Sequence, residues 1–197
     1  MDVLIIAGMP ASGKTTVAKA MRAAFGFPIL EKDALKEAIF DTMGFRNYAE
    51  KRASDHAANA VLLRCAEALL EAGGSMILDN NFDTKSASLL NALLERYECR
   101  CVTVFLGGDA DAFYRRYVER DRLHLRHLGH VVQEHYPLLP GDSPDHEMTR
   151  EEFREKFESR GMADFRCAGA RIDVDATDPS AIDINGLIAQ IRSLLQE

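Results

Sequence analysis

Apolar runs of strand length alternate along this chain with longer stretches in which apolar residues recur at helical spacing. Val3–Ala7, Pro28–Glu31, Ser75–Asp79, Arg100–Leu106 and Arg171–Asp175 are short, apolar and followed by Gly, Asp or Asn, which predicts five buried parallel strands. Between them, Lys14–Phe25, Ala34–Thr42, Tyr48–Ala72, Lys85–Glu98, Ala110–Arg122 and Ser180–Gln196 carry helical periodicity. This order builds a parallel sheet with helices on both faces, an α/β fold of three layers in a single domain.

Capping signals mark several helix starts. Asn47 to Glu50 and Thr149 to Glu152 fit the capping-box pattern, and Asp178-Pro179 places proline after a cap. Leu123–Met148 shows neither period. It holds His124, His127, His130, His135 and His146 with Pro137, Pro140, Gly141 and Pro144, and it reads as a functional loop or lid.

Composition narrows the picture further. The 197 residues are 47% hydrophobic and 28% charged, within the range of globular domains, and suffice for one packed domain rather than two. The longest apolar runs are strand-length, and the N-terminus lacks a basic region followed by an apolar stretch, so the expected location is the cytoplasm, with no membrane partner. Cys65, Cys99, Cys101 and Cys167 form no CxxC pair and are expected as reduced thiols, with Cys99 and Cys101 packing on one face of a strand. A formal net charge of −7 removes long-range attraction to nucleic acid, while leaving room for a local basic patch.

The strongest motif is Gly8-Met9-Pro10-Ala11-Ser12-Gly13-Lys14-Thr15, which matches G-x-x-x-x-G-K-[ST] and stands between an apolar strand and a helix. Glycines let the backbone wrap a polyphosphate, and the N–H groups at the helix start, from Ser12 through Thr16, converge on anionic oxygens. Lys14 is placed to contact the β- and γ-phosphates, and Thr15 to bind Mg²⁺. Asp79 ends the third strand at the carboxyl edge of the sheet, where ligands bind in open α/β folds, and is a second magnesium candidate. A turn is its alternative role, shared with Asn80 and Asn81, which could instead position an acceptor.

Asp33 follows the second strand at the same rim. Phosphoryl transfer requires alignment, charge neutralisation and a group that orients or deprotonates the attacking hydroxyl, and a carboxylate there suits the last task. Its alternative role is the N-cap of the helix that follows. The series GMPASGKT, KDALKE and ILDNN resembles the P-loop kinase group containing zeta toxins, chloramphenicol phosphotransferase and phage polynucleotide kinase, in order and spacing across nearly the whole chain. The resemblance implies a nucleoside-kinase-like P-loop NTPase fold, ATP and Mg²⁺ as cofactors, Asp33 as general base, and Lys14 and Thr15 in the phosphate loop. It also implies a lid over residues 115–148 that brings arginines onto the phosphates. Arg120, Arg122 and Arg126 are the candidates, since a planar, permanently charged fork suits phosphate oxygens. Arg115 and Arg116 lie deeper in the helix, where a solvated face or a salt bridge to Glu119 competes with that role.

His124, His127 and His130 recur every third residue, a spacing open to a metal site or proton relay, although no cysteine is near enough in sequence to complete a four-ligand structural zinc set. His127 is instead a substrate candidate, and Tyr136 with the prolines would wall the acceptor pocket. After the last strand, Asp175–Pro179 stands where related kinases hold the nucleotide base through loop backbone.

Three functions compete. The leading one is an ATP-dependent kinase acting on a hydroxyl of a metabolite, nucleoside, sugar or antibiotic. A polynucleotide 5′-hydroxyl kinase is the second, and acidic charge and the lack of tryptophan weigh against it. A nucleotide-dependent switch is the third. Asp33→Asn separates the kinases from the switch, because it removes turnover from a kinase and leaves a switch intact, and salt-dependent binding of single strands would mark the polynucleotide kinase. The sequence carries no sign of the acceptor or of oligomeric state.

Overall fold

A computed structural model describes residues 1–142 and 148–196. Pro144 and His146 of the histidine- and proline-rich segment lie outside the described residues. Five strands, β1 (Asp2–Gly8), β2 (Ile29–Glu31), β3 (Met76–Asp79), β4 (Arg100–Gly107) and β5 (Ala170–Asp175), form one parallel sheet in the order β2-β3-β1-β4-β5. Because β1 lies between β3 and β4, its register pairs Ile6 with Asp79 on one side and with Val104 on the other. The carboxyl ends of β1 and β3 are therefore neighbours. The phosphate loop leaves from one and Asp79 stands on the other.

Alternation along β1 builds the three layers. Leu4 and Ile6 face a core with Val17 and Met21 of helix α1 (Lys14–Phe25), Phe113 of α5 (Ala110–Arg122) and Ile191 of α8 (Ile184–Leu194). Val3, Ile5 and Ala7 face the opposite core, with Leu62 and Ala66 of α3 (Tyr48–Glu71) and Leu90 and Leu94 of α4 (Thr84–Arg96). A strand buried on both faces reads as an unbroken apolar run, which is why VLIIA was legible. The expectation that all five strands are buried holds for β1 and β3 but not for the edges. Ile29–Glu31 is only half-buried throughout, and β5 exposes Asp173 and Asp175, since an edge strand has a neighbour on one side only.

Helix boundaries supply further corrections. α2 runs Lys32–Met43, two residues earlier than its apolar spacing suggests, with Glu31 at the N-cap position. Asp33 is therefore inside the first turn and is not the cap. The final helical stretch is split. Asp178 and Pro179 start a short 3-10 turn, Pro179–Ala181, and α8 begins separately under an Asp183 cap. Thr149 and Glu152 form a complete capping box that starts α7 (Arg150–Glu158), a helix absent from the periodicity reading. At Asn47 the box is half made: its side chain accepts from the Glu50 N–H, but the Glu50 carboxylate turns to Arg46.

The segment after α5 carries a single turn of helix, α6 (Leu128–Val131), and docks on α2 through a small third core of Phe40, Phe45 and Val132. Gly129 packs so closely on the Phe40 ring that a Cβ would collide with it. Lys51 of α3 donates to the carbonyls of His130 and Val132, tying the segment to a third element. Among the described residues, no helix is long and apolar enough to cross a membrane.

Candidate active site

A cleft of about 1140 Å³ opens at the carboxyl ends of β1, β2 and β3, walled by the phosphate loop, the first turn of α2, α3, the segment after β3, α6 and the end of α7. This is the rim where open parallel sheets bind ligands. Its volume exceeds that of most single-ligand pockets and suits two substrates side by side.

The phosphate loop forms one wall. Pro10, Ala11, Gly13, Lys14, Thr15 and Thr16 border the cleft, while Gly8 and Ser12 lie beneath the loop. Gly8 has φ 143° and presses on the Leu106 backbone, where any Cβ would strike the carbonyl oxygen. Gly13, at φ 93°, turns the chain into α1, and the N–H groups of that first turn have no partner within the helix. Ala11 takes a left-handed φ of 61°, a conformation that side chains rarely adopt, as the loop folds over the Ser12-to-Met9 hydrogen bond. The Lys14 ammonium reaches back to the Met9 carbonyl at 2.8 Å. Burial pushes its pKa down to about 8, against the attraction of Asp79 and Asp33.

Thr15 donates its hydroxyl to Asp79 at 2.9 Å. Asp79 is buried, and burial raises its carboxyl above the usual range despite Lys14 and the Thr15 hydrogen bond. A hydroxyl and a buried carboxylate in contact beside a phosphate loop form an oxygen donor set that fits Mg²⁺. Asn80 and Asn81 continue the rim. Asn80 lies 3.5 Å from Asn59 Oδ1, and the Oδ1 of Asn81 is buried without a hydrogen-bond partner among the described residues.

Asp33 borders the same cleft as the loop. It sits deep among protein atoms, yet its carboxylate opens onto the cavity. Burial works against its charge, but His130, Lys32, Lys36 and Lys14 outweigh it and hold the carboxyl below the usual range. Lys32 and Lys36 are fixed by Asp55 of α3, at 2.7 and 2.9 Å. Glu31, next to Asp33, shifts the other way: burial and the carboxylates Asp79, Asp33 and Glu37 raise its pKa.

The three arginines diverge. Arg120 borders the cleft, its Nε buried without a hydrogen-bond partner among the described residues, and shares the electrostatic field of Lys14 and Asp33. Arg126 also lines it, held by Asp121 at 2.7 Å and by the Tyr117 ring 4.5 Å from its guanidinium carbon. Arg122 is exposed and outside the cleft lining, because the last turn of α5 rotates it away from Arg120. Arg116 takes neither role foreseen for it. It donates to the Ala176 and Thr177 carbonyls and braces the loop after β5. Arg115 is exposed and reaches the Asp111 carbonyl at 3.4 Å.

The histidines partner with α2. His127 caps α6, accepting from the Gly129 N–H, and pairs with Asp41 at 2.9 Å, while His130 pairs with Glu37 at 3.0 Å. His127 lines the cleft; Tyr136 does not, and its hydroxyl donates to Asp41 at 2.8 Å behind it. Tyr136 therefore supports the pocket rather than walling it. Among the described residues, no cluster of three or more His, Cys, Asp or Glu could hold a metal ion.

Sequence reading missed part of the cleft: Glu31, Lys36 and Asp55, and above all Lys156 and Arg160 at the end of α7. The spacing of four between those last two was visible. Nothing in the local pattern said that the end of α7 would fold back over the cleft.

Comparison with known proteins places this fold. Residues 3–133 match the model of an AAA domain family, and the chain belongs to that family of P-loop domains. No curated protein matches it. Among solved structures, a candidate kinase from Chloroflexus aurantiacus J-10-fl is 26% identical with a TM-score of 0.81, over 98% of each chain. A gluconokinase from Sinorhizobium meliloti 1021 is 18% identical with a TM-score of 0.61, over 99% of this chain and 94% of that one. A shikimate kinase from Bacteroides thetaiotaomicron is 17% identical with a TM-score of 0.55, over 100% and 99%. The chain has the P-loop kinase-like fold, and the similarity to zeta toxins, chloramphenicol phosphotransferase and polynucleotide kinase stands at that broader level.

Proposed function

We propose that this protein is an ATP- and Mg²⁺-dependent phosphotransferase that moves the γ-phosphate onto a hydroxyl of a small molecule, with Asp33 as general base. The observation that carries this reading is the placement of Asp33 in the field of Lys14, on the same cleft as the Thr15–Asp79 pair. The kinase neighbours support it as fold analogy.

Each residue then has a physical task. The phosphate-loop N–H groups and Lys14 hold the β- and γ-phosphates, and Arg120, with Arg126 beside it, meets charge on the transferring group. Thr15 and Asp79 are the residues that would hold Mg²⁺, whose charge offsets that of the phosphates. Asp33, whose carboxyl is held below its usual range by His130, Lys32, Lys36 and Lys14 although burial opposes its charge, accepts the hydroxyl proton of the acceptor. In the transfer, a bond forms between the acceptor oxygen and the γ-phosphorus, the bond to the β-bridging oxygen breaks, and ADP leaves. The location expected from the sequence, the cytoplasm, is where such a reaction finds ATP.

The test is a mass-spectrometric screen with Mg²⁺ and ATP against polyols, nucleosides, sugars, hydroxy acids, aminoglycosides and a short 5′-hydroxyl oligonucleotide. A gain of one phosphate on a small molecule supports the reading. Phosphate on the oligonucleotide alone makes the protein a polynucleotide kinase, and nucleotide hydrolysis unaffected by Asp33→Asn makes it a switch.

A further inference from the structure

The charge of the cleft runs against that of the chain. The whole protein is −7, yet the cleft lining contains ten Lys and Arg side chains against six Asp and Glu. Lys14 and Arg120 belong to the phosphate-loop side, and Lys32 and Lys36 share Asp55. Lys156 lines the same cleft with Arg126 and Arg160.

Lys156 comes from α7, and the charges acting most strongly on it are Arg126 from the segment after α5, Lys36 from α2 and Arg160 just past α7. Three separate parts of the chain thus bring cations to one place. Among the described residues Lys156 has no carboxylate at ion-pair distance, and its ammonium lies 5.8 Å from the Phe157 ring centroid. Lys156 is exposed on the cleft wall; partial burial, with Arg126, Lys36 and Arg160 acting against Asp55, pushes its pKa down. Arg126, Lys36 and Arg160 are each paired with a carboxylate, Asp121, Asp55 and Asp83, so Lys156 is the cation of this wall whose charge an anion in the cleft would answer.

This group adjoins the one at the phosphate loop through Arg126, which also acts on Arg120. Lys14 shares the field of Asp79, Asp33 and Arg120, whereas Lys156 shares that of Arg126, Lys36 and Arg160. Lys36 links the two regions, since it also acts on Asp33. Asn81, whose backbone carbonyl accepts from Arg160 at 3.3 Å, has its side-chain Oδ1 unpartnered, an acceptor suited to a hydroxyl.

We infer that the acceptor is a hydroxylated anion, carrying a carboxylate or a phosphate monoester that Lys156 binds together with Arg126, Lys36 and Arg160 while its hydroxyl reaches Asp33. This rests on the phosphotransferase reading and names its substrate class. The anionic group sets which molecules enter, and the distance from Lys156 to Asp33 selects which hydroxyl is presented.

The experiment has two arms, so that the two readings fail separately. In the first, the full chain is saturated with Mg²⁺ and a non-hydrolysable ATP analogue, filling the γ-phosphate position, and titrated calorimetrically with inorganic phosphate and with acetate. One saturable anion site is expected, weakened about tenfold or more by Lys156→Gln, the loss of one charge-assisted contact, while affinity for the analogue stays within twofold. The stronger of the two probes distinguishes phosphate from carboxylate. No anion binding with nucleotide present, anion binding indifferent to Lys156→Gln, or a fall in nucleotide affinity instead would overturn the inference. In the second arm, matched pairs are offered as acceptors: ribose 5-phosphate against ribose, and gluconate against sorbitol. Phosphate transfer favouring the uncharged member sinks the anionic-acceptor inference alone. An intact anion site in a protein whose ATP turnover is untouched by Asp33→Asn sinks the phosphotransferase reading instead.

Discussion

The Thr15 hydroxyl donates to Asp79 at 2.9 Å, joining the helix that follows β1 to the end of β3, 64 residues apart in sequence. Parallel pairing of Ile6 with Asp79 brings the two together, so the proposed magnesium donors are set by sheet register rather than by local sequence. Asp79→Asn keeps the shape and removes the charge. The expected result is a loss of at least about tenfold in the Mg²⁺-dependent part of ATP affinity, and a larger loss in turnover. ATP titrations with and without EDTA measure it, and equal affinities for the variant and the parent in Mg²⁺ would remove Asp79 from the site.

Lys14 gives a pH signature. Its pKa of about 8 in the empty site lies below that of an ordinary lysine because burial disfavours the charge. Bound phosphates favour the charged form and raise the pKa, so nucleotide binding near or above pH 8 takes up a proton. Affinity is then expected to fall as pH rises through 8. Calorimetric binding enthalpies that vary with buffer ionisation enthalpy at pH 8.5, and much less at pH 6.5, are the predicted observation.

Asp55 supports the site from behind. It fixes Lys32, which is buried, and Lys36, both of which act on Asp33. The carboxyl of Asp55 is held well below the usual range: burial opposes its charge, but the two lysines prevail. A depressed folded-state pKa contributes stability that is present above the unfolded value near pH 4 and is lost as pH falls below it. Asp55→Asn leaves Lys32 without its partner. Breaking a fully buried pair costs about 3–5 kcal/mol, and with Asp55 partly open to solvent about 2 kcal/mol is expected here. Urea unfolding at pH 7 measures the loss, and the difference between variant and parent should shrink at pH 3.

Much of the fold was legible because it rests on short-range signals. VLIIA alternates between two cores, the phosphate loop is a contiguous motif, and Asp33 follows, and Asp79 ends, a strand whose end is visible in the sequence. What the sequence hid depends on long-range packing. Arg120 and Arg122 look equivalent along the chain, yet the roughly half turn of helix between them sends the first into the cleft and the second to the surface. Tyr136 looked like a pocket wall because of its neighbours in sequence; its place behind His127 follows from the docking of Phe40 on Gly129 and from the shared carboxylate of Asp41. Lys156 carries no local mark at all, because its meaning comes from cations contributed by other elements.

Asp33 is the residue on which the account turns. The most direct test is single-turnover phosphate transfer from ATP to the best acceptor of the screen, comparing the parent protein with Asp33→Asn, with ATP affinity measured on the same samples. The account predicts that transfer falls by at least about a hundredfold, the order of a general-base contribution, while ATP affinity changes by less than threefold. Transfer persisting at the parental rate in Asp33→Asn would contradict it.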